Sequence, residues 1–216
     1  MDQADTLADD TIHRTFWHKL LLGCGVAGSI LFTLTYFSFG AIAPNYDMMR
    51  ESISDLDLLP HGWIQSANFI VFGLFTGAFA IGLRKEMEGG FGLTLIPVFH
   101  IFTAFGLILA GIFTHSYEHT IALVITFVST LISFLLLARR FASDARWRGW
   151  ATYTLLSTVL MIAMLGIFCY AESKHGAYAG VFERLIVVTR LVWISIFTIR
   201  LFLGQTLSAD SEAATS

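Results

Sequence analysis

Six stretches of the chain, at residues 20–43, 63–83, 91–114, 120–138, 150–170 and 182–203, are apolar over lengths that suit a bilayer. A helix needs about 20 apolar residues to cross about 30 Å of hydrocarbon. The runs are continuously apolar and lack the two-residue alternation of barrel strands. The pattern predicts an all-α polytopic membrane protein, a six-transmembrane-helix bundle over residues 17–204. Polar tails at 1–16 and 205–216 are expected to be disordered and cytoplasmic. The second run carries Gly73 and Gly77 one turn apart, and Ala78 and Gly82 likewise. Small residues at that spacing let neighbouring helices approach closely, here within one bundle.

The first run could be mistaken for a cleaved signal, because Ala41-Ile42-Ala43 has a small-x-small form. Its 24 apolar residues exceed a signal core of about 7–15, and the tail before it holds Asp2, Asp5, Asp9 and Asp10 rather than positive charge. An uncleaved helix is expected. Orientation follows from Lys and Arg in the short loops. Arg14, Lys19, Arg84, Lys85, Arg139, Arg140, Arg146, Arg148 and Arg200 fall on one side; Arg50, Lys174, Arg184 and Arg190 fall on the other or within the membrane. That asymmetry predicts N-in/C-in topology, consistent with an even number of spans.

Composition sharpens the class. The 216 residues are 56% hydrophobic and 13% charged, with mean hydropathy +0.70, against about a quarter charged in soluble domains. The deficit leaves too little polar surface for a water-soluble globule. A net charge of -3 is uninformative about partners, and with no basic cluster interleaved with aromatics nucleic acid is not an expected one. Cys24 and Cys169 lie in apolar runs, outside any C-x-x-C, and read as small core hydrophobes. No internal repeat marks an inverted-repeat transporter.

The remaining polar residues gather in the loops on the outer side. The first outer loop carries Asp47, Arg50, Glu51, Ser54, Asp55 and Asp57; the second reads His115-Ser116-Tyr117-Glu118-His119; the third region holds Glu172, Lys174, His175, Glu183 and Arg184. Arg190 lies deeper, about 12 Å below Phe182 at 1.5 Å per residue. An arginine facing lipid at mid-membrane costs at least ~2.5 kcal/mol, so Arg190 should face the bundle interior or snorkel outward. Glu183 shares its helix face but is two turns away, so the expected carboxylate partner comes from the first outer loop: Asp47, Glu51 or Asp55. Such a pair would pin that loop on the bundle. The candidate ligand-binding cluster is Asp47, Arg50, Glu51, Ser54, Asp55, His119, Glu183, Arg184 and Arg190.

His115 and His119 spell H-x-x-E-H with Glu118, a zinc-ligand spacing if the five residues share one helix. These residues bridge two spans, so interfacial histidines are the ordinary reading. The alternative is a zinc site in which His115 and His119 join Asp47, Asp55 or Glu183 and leave one position open. His100 sits mid-span, three residues after Pro97. A bis-histidine haem would need a second histidine at that depth on another helix, and the sequence offers none. No cofactor is expected otherwise.

The string Tyr46-Asp47, Arg50 through Leu56, Gly62, Asn68-Phe69 and Gly73-Leu74 resembles the N-terminal signature of the domain-of-unknown-function family 998. Gly180-Val181-Phe182-Glu183-Arg184-Leu185, Trp193 and Arg200-Leu201 are similar to that family's closing motif, and His119 matches the histidine opening its fourth span. Where the family often carries an acid in a longer second outer loop, this chain has Glu118 in a short one. The resemblance runs from about residue 20 to 203. It implies a single six-helix membrane domain, in a bacterial or archaeal inner membrane, and brings no reaction with it.

Three functions follow, in order. The first is a module that binds membrane lipid or another hydrophobic ligand, or a subunit among other membrane subunits, with its polar site on the extracytoplasmic side. The second is a membrane-embedded hydrolase acting on lipid at the outer leaflet, with Ser54, Asp55, His115 and His119 around a metal or nucleophile. The third is a transporter, for which the cytoplasmic half offers little polar path. The sequence leaves open whether the protein is an enzyme.

Overall fold

The computed structural model describes residues 3–87, 91–114, 116–174 and 176–203, and within these the side chains of residues 3–15, 146 and 148 are not described. The described chain is all helical. Helices α1 (Gln3–Ile42), α2 (Trp63–Glu86), α3 (Leu95–Ile112), α4 (Tyr117–Ala142), α5 (Arg148–Ser173) and α6 (Ala179–Phe202) account for the six predicted spans. Each includes a segment long and apolar enough to cross a membrane, the first of them Phe16–Ile42. Helix α1 starts upstream of the predicted run, at Gln3. Residues 204–216 lie outside the described residues.

Each helix packs on its neighbours in sequence, and α6 returns to α1. Helices that are not neighbours meet through long side chains inside the ring, as where Phe134 and Phe141 of α4 reach Trp193 of α6. The small residues of α2 make this closure tight. A side chain at Gly73 would strike the Ala104 carbonyl and Ile108 of α3, and one at Gly82 would meet the Leu22 amide of α1. The predicted small-residue stripe therefore serves packing inside the bundle, on both sides of α2.

Two apolar clusters fill the ring. One, toward the α1–α2 loop, is built on Phe32, Tyr36, Phe39, Phe69, Phe72 and Leu107. The other, toward the far end, holds Trp193, Phe197, Phe141, Trp147 and Phe134. In the second cluster Trp193 stacks on Phe197 at 4.8 Å and donates its indole N–H to Thr154 Oγ1 at 3.0 Å. A buried indole needs such a partner in an apolar medium. Helix α5 is the most exposed span, with Leu155, Leu156, Val159 and Leu160 outward. The first cluster and the loop above it position the candidate site.

Candidate functional site

The α1–α2 loop is tied to itself by its own acids. Asp47 Oδ1 accepts the Met49 N–H at 2.9 Å, Glu51 Oε2 accepts the Asp47 N–H at 2.6 Å, and Asp55 Oδ2 accepts the Ser52 N–H at 2.7 Å. Asp residues favour such local bonds over extended or helical backbone, which is why this stretch turns rather than continuing α1. A short 3-10 helix at Ser54–Leu58 buries Leu56. Asp57 in that helix has only Ser66 Oγ as a donor, at 3.3 Å to Oδ1, while its Oδ2 is buried without a partner among the described residues. Burial pushes the Asp57 carboxyl up to about 7, against the smaller lowering effect of the Ser66 hydroxyl.

This folded loop docks on the start of α6. The Gly180 N–H donates to the Arg50 carbonyl at 3.2 Å, and the Val181 N–H to Met49 or Tyr178 carbonyls at 3.3 and 3.1 Å. Helix starts leave such N–H groups without intrahelical partners, and the loop supplies acceptors. Arg184, one turn on, donates from Nη1 to the Glu51 carbonyl at 2.9 Å and to Gly180 O at 2.8 Å. Its Nη2 donates to the Tyr46 hydroxyl at 2.5 Å, and Tyr46 donates onward to Ser52 O at 2.7 Å. Burial pushes the Tyr46 phenol up, opposed by the Arg184 charge, so the hydroxyl keeps the proton it donates. Glu183 completes the dock by accepting the Ile53 N–H at 2.5 Å. Gly180 is required here, since a Cβ would collide with the Glu51 carbonyl oxygen.

Ile53, held by Glu183, roofs a cavity of about 50 Å³ inside the ring. All six helices contribute to it. Its walls are apolar: Phe32, Phe69, Phe72, Leu107, Phe127 and Met161 are among them. Four polar side chains also line it: Glu183, Arg190, Thr126 and Thr130. Thr126 donates to Ala122 O at 2.9 Å, and Thr130 shares a bond with Thr103 at 3.3 Å. Arg190 is 8% exposed, so it belongs to the interior. Its guanidinium carbon lies 5.1 Å from the centre of the Phe72 ring, while its buried Nη2 has no hydrogen-bond partner among the described residues.

The expected partner of Arg190 is therefore corrected. No loop carboxylate pairs with it among the described residues; the cation that pins the loop is Arg184. The reason is depth. Arg190 lies six residues beyond Arg184, about 9 Å further along the helix, and the loop acids are turned back onto their own backbone. Of the candidate cluster, the structure brings Glu51, Glu183 and Arg184 together at the dock, with Asp47 and Asp55 shaping the loop beneath it. Arg50 is exposed and contributes its carbonyl, and Ser54 is buried at the start of the 3-10 helix.

His119 serves a different corner. It is buried in the first turn of α4, and its Nδ1 lies 3.0 Å from Ala110 O and 2.8 Å from Phe113 O. Those carbonyls belong to the end of α3, where intrahelical donors run out. His115 lies outside the described residues. Helix α4 starts at Tyr117 behind its Ser116 cap, so Glu118 and His119 lie in its first turn. Among the described residues no group of three or more His, Cys, Asp or Glu is placed to hold a metal ion. His100 is buried against Phe79, with Nδ1 3.1 Å from Ile96 O. That carbonyl is four residues back on the same helix.

Sequence reasoning missed Tyr46, Ile53, Phe72 and Gly180 as parts of the site. Gly180 left a trace, as a helix-opening glycine three residues before Glu183-Arg184; Phe72 is indistinguishable in sequence from any other core aromatic.

Comparison with known proteins adds one match. The family described as "Protein of unknown function (DUF998)" matches residues 26–200. No curated protein and no solved structure matches the chain.

Proposed function

The chain belongs to the DUF998 family of proteins of unknown function, and from that premise we propose that it is a membrane module holding a lipid or other small hydrophobic ligand inside its six-helix ring. The observation that carries this reading is the largely apolar cavity inside the ring, with a buried guanidinium in its wall whose Nη2 has no hydrogen-bond partner among the described residues. A buried charge of this kind is costly, and intramembrane ionisable residues mark ligand sites by default. Pockets for small molecules share this composition, mostly apolar walls with a few placed polar groups. The loop above is the roof, latched by Glu183 and Arg184.

The roofed end is extracytoplasmic in this reading. Arg84, Lys85, Arg139, Arg140 and Arg200 all fall at the far ends of α2, α4 and α6, away from the α1–α2 loop. That placement supports the N-in/C-in orientation under the positive-inside rule. A ligand then reaches the cavity from the outer leaflet.

The test is photo-crosslinking with a diazirine-bearing lipid in bilayers, mapped by peptide mass spectrometry. Label on Val187, Phe127 or Leu131, which line the cavity, is expected. Label confined to outward residues such as Leu185 and Val192 would overturn the reading.

A further inference from the structure

We propose that Arg190 is an anion anchor and that the ligand presents to it a group of carboxylate size and charge, the head of a fatty acid or a free small carboxylate. The inference rests on the cavity reading above and deepens it by naming the ligand's chemical class.

The argument is a count of hydrogen-bonding capacity inside the cavity. Among its lining side chains, Thr126 has given its proton to Ala122 O, and Thr130 is engaged with Thr103. Glu183 Oε2 already accepts the Ile53 N–H. Of the side chains that line the cavity, Arg190 holds the one buried donor, Nη2, without an acceptor among the described residues. An arginine carries five donors in a planar fork and does not give up its proton in proteins. What Arg190 lacks is therefore an acceptor with negative charge at its own depth, since Glu183 sits two turns up the helix with Oε2 on the Ile53 N–H.

Phe72 does not fill that need. Its ring faces the guanidinium at 5.1 Å, a cation–π contact that leaves the in-plane N–H groups free. The ring accepts no N–H of the fork in a hydrogen bond, so those donors remain for an anion. Carboxylates match that edge with two parallel bonds.

Size argues in the same direction. A cavity of about 50 Å³ has room for a few water-sized centres, and hence for a compact head rather than a whole lipid. The apolar lining from Phe32, Leu107, Phe127 and Met161 suits the first methylenes behind such a head. Glu183, seven residues and about 10 Å up the helix, repels a second anion and limits the site to one.

The experiment is titration calorimetry of the purified chain in mild non-ionic detergent at pH 8 with three probes: dodecanoate, dodecanol and butyrate. Dodecanoate is expected to bind about tenfold or more tightly than dodecanol, the factor one charge-assisted pair supplies. Arg190→Lys should keep part of that preference, and Arg190→Gln should erase it. Butyrate binding as tightly as dodecanoate would assign the anchor to a free small carboxylate; weaker butyrate would assign it to the lipid acid. Both results support the anchor. Equal binding of dodecanoate and dodecanol by the wild-type chain overturns the anchor while leaving a hydrophobic-ligand module standing. No binding of any probe overturns both. The wild-type preference decides the matter even if Arg190→Gln does not fold.

Discussion

Gly180→Ala tests the docking of the loop on α6. The added methyl would collide with the Glu51 carbonyl and sit 2.7 Å from Met48 O and 2.6 Å from Arg184 Nη1. Two of those three neighbours are backbone, which cannot swing away as a side-chain tip can. The loop must lift, and four bonds are at stake: Gly180 N–H to Arg50 O, Val181 N–H to Met49 O, Arg184 to Glu51 O, and the Ile53 N–H to Glu183. The two neutral bonds contribute about 0.5–1.5 kcal/mol each and the two charge-assisted ones about 1.5–3. Full loss would exceed ~4 kcal/mol. A partial shift, water at the loop, and up to ~1 kcal/mol of helix propensity gained by alanine reduce the expected net cost to roughly 2–3 kcal/mol. For a chain of this size that is a fall in Tm of roughly 5–10 °C. The assay is thermal unfolding in mild detergent, paired with hydrogen exchange over residues 49–53, where protection should drop. Gly166→Ala is the control, because a Cβ there meets nothing within 4 Å, and it should be neutral or mildly stabilising. A Gly180→Ala chain that melts with the wild type and keeps loop protection would refute the dock.

Three further outcomes follow from the same geometry. Asp57, held near pKa 7 by burial, keeps a proton that the unfolded chain releases above about pH 4. Its contribution is therefore full below about pH 4 and lost as pH rises through 7, so Tm should fall between pH 5 and 8 and Asp57→Asn should flatten that slope; an unchanged slope contradicts this. His119→Ala strips the Ala110 and Phe113 carbonyls of a shared donor and should cost about 1–3 kcal/mol by chemical unfolding, with a cost under ~0.5 arguing against the corner bond. Trp193→Phe removes the bond to Thr154 and should cost about 0.6–1.5 kcal/mol, the range for membrane-interior hydrogen bonds; Thr154→Ala should then add little to it.

The six helices were legible because bilayer length and continuous apolarity impose one pattern on each span, whatever the neighbours. Helix partners were partly legible: Gly73 and Gly82 signalled close approach, though not that one faces α3 and the other α1. Glu183, Arg184 and Arg190 stood out as charges in an apolar run, and all three are buried. What each charge touches was not legible. Spacing on one helix gives depth, but the loop's reach depends on its own turns, and these spend Asp47, Glu51 and Asp55 on local N–H groups. The role of His119 was not legible for a related reason: its acceptors, the Ala110 and Phe113 carbonyls, lie across the α3–α4 turn.

Native mass spectrometry of the intact chain, released from detergent under gentle activation, tests the central claim most directly. The account predicts a retained organic molecule at about one per chain, lost in Val187→Phe, which puts a ring into the cavity that Val187 lines. A wild-type chain that never carries such a molecule, even after incubation with membrane lipid extract, or one whose bound mass is indifferent to Val187→Phe, would contradict it.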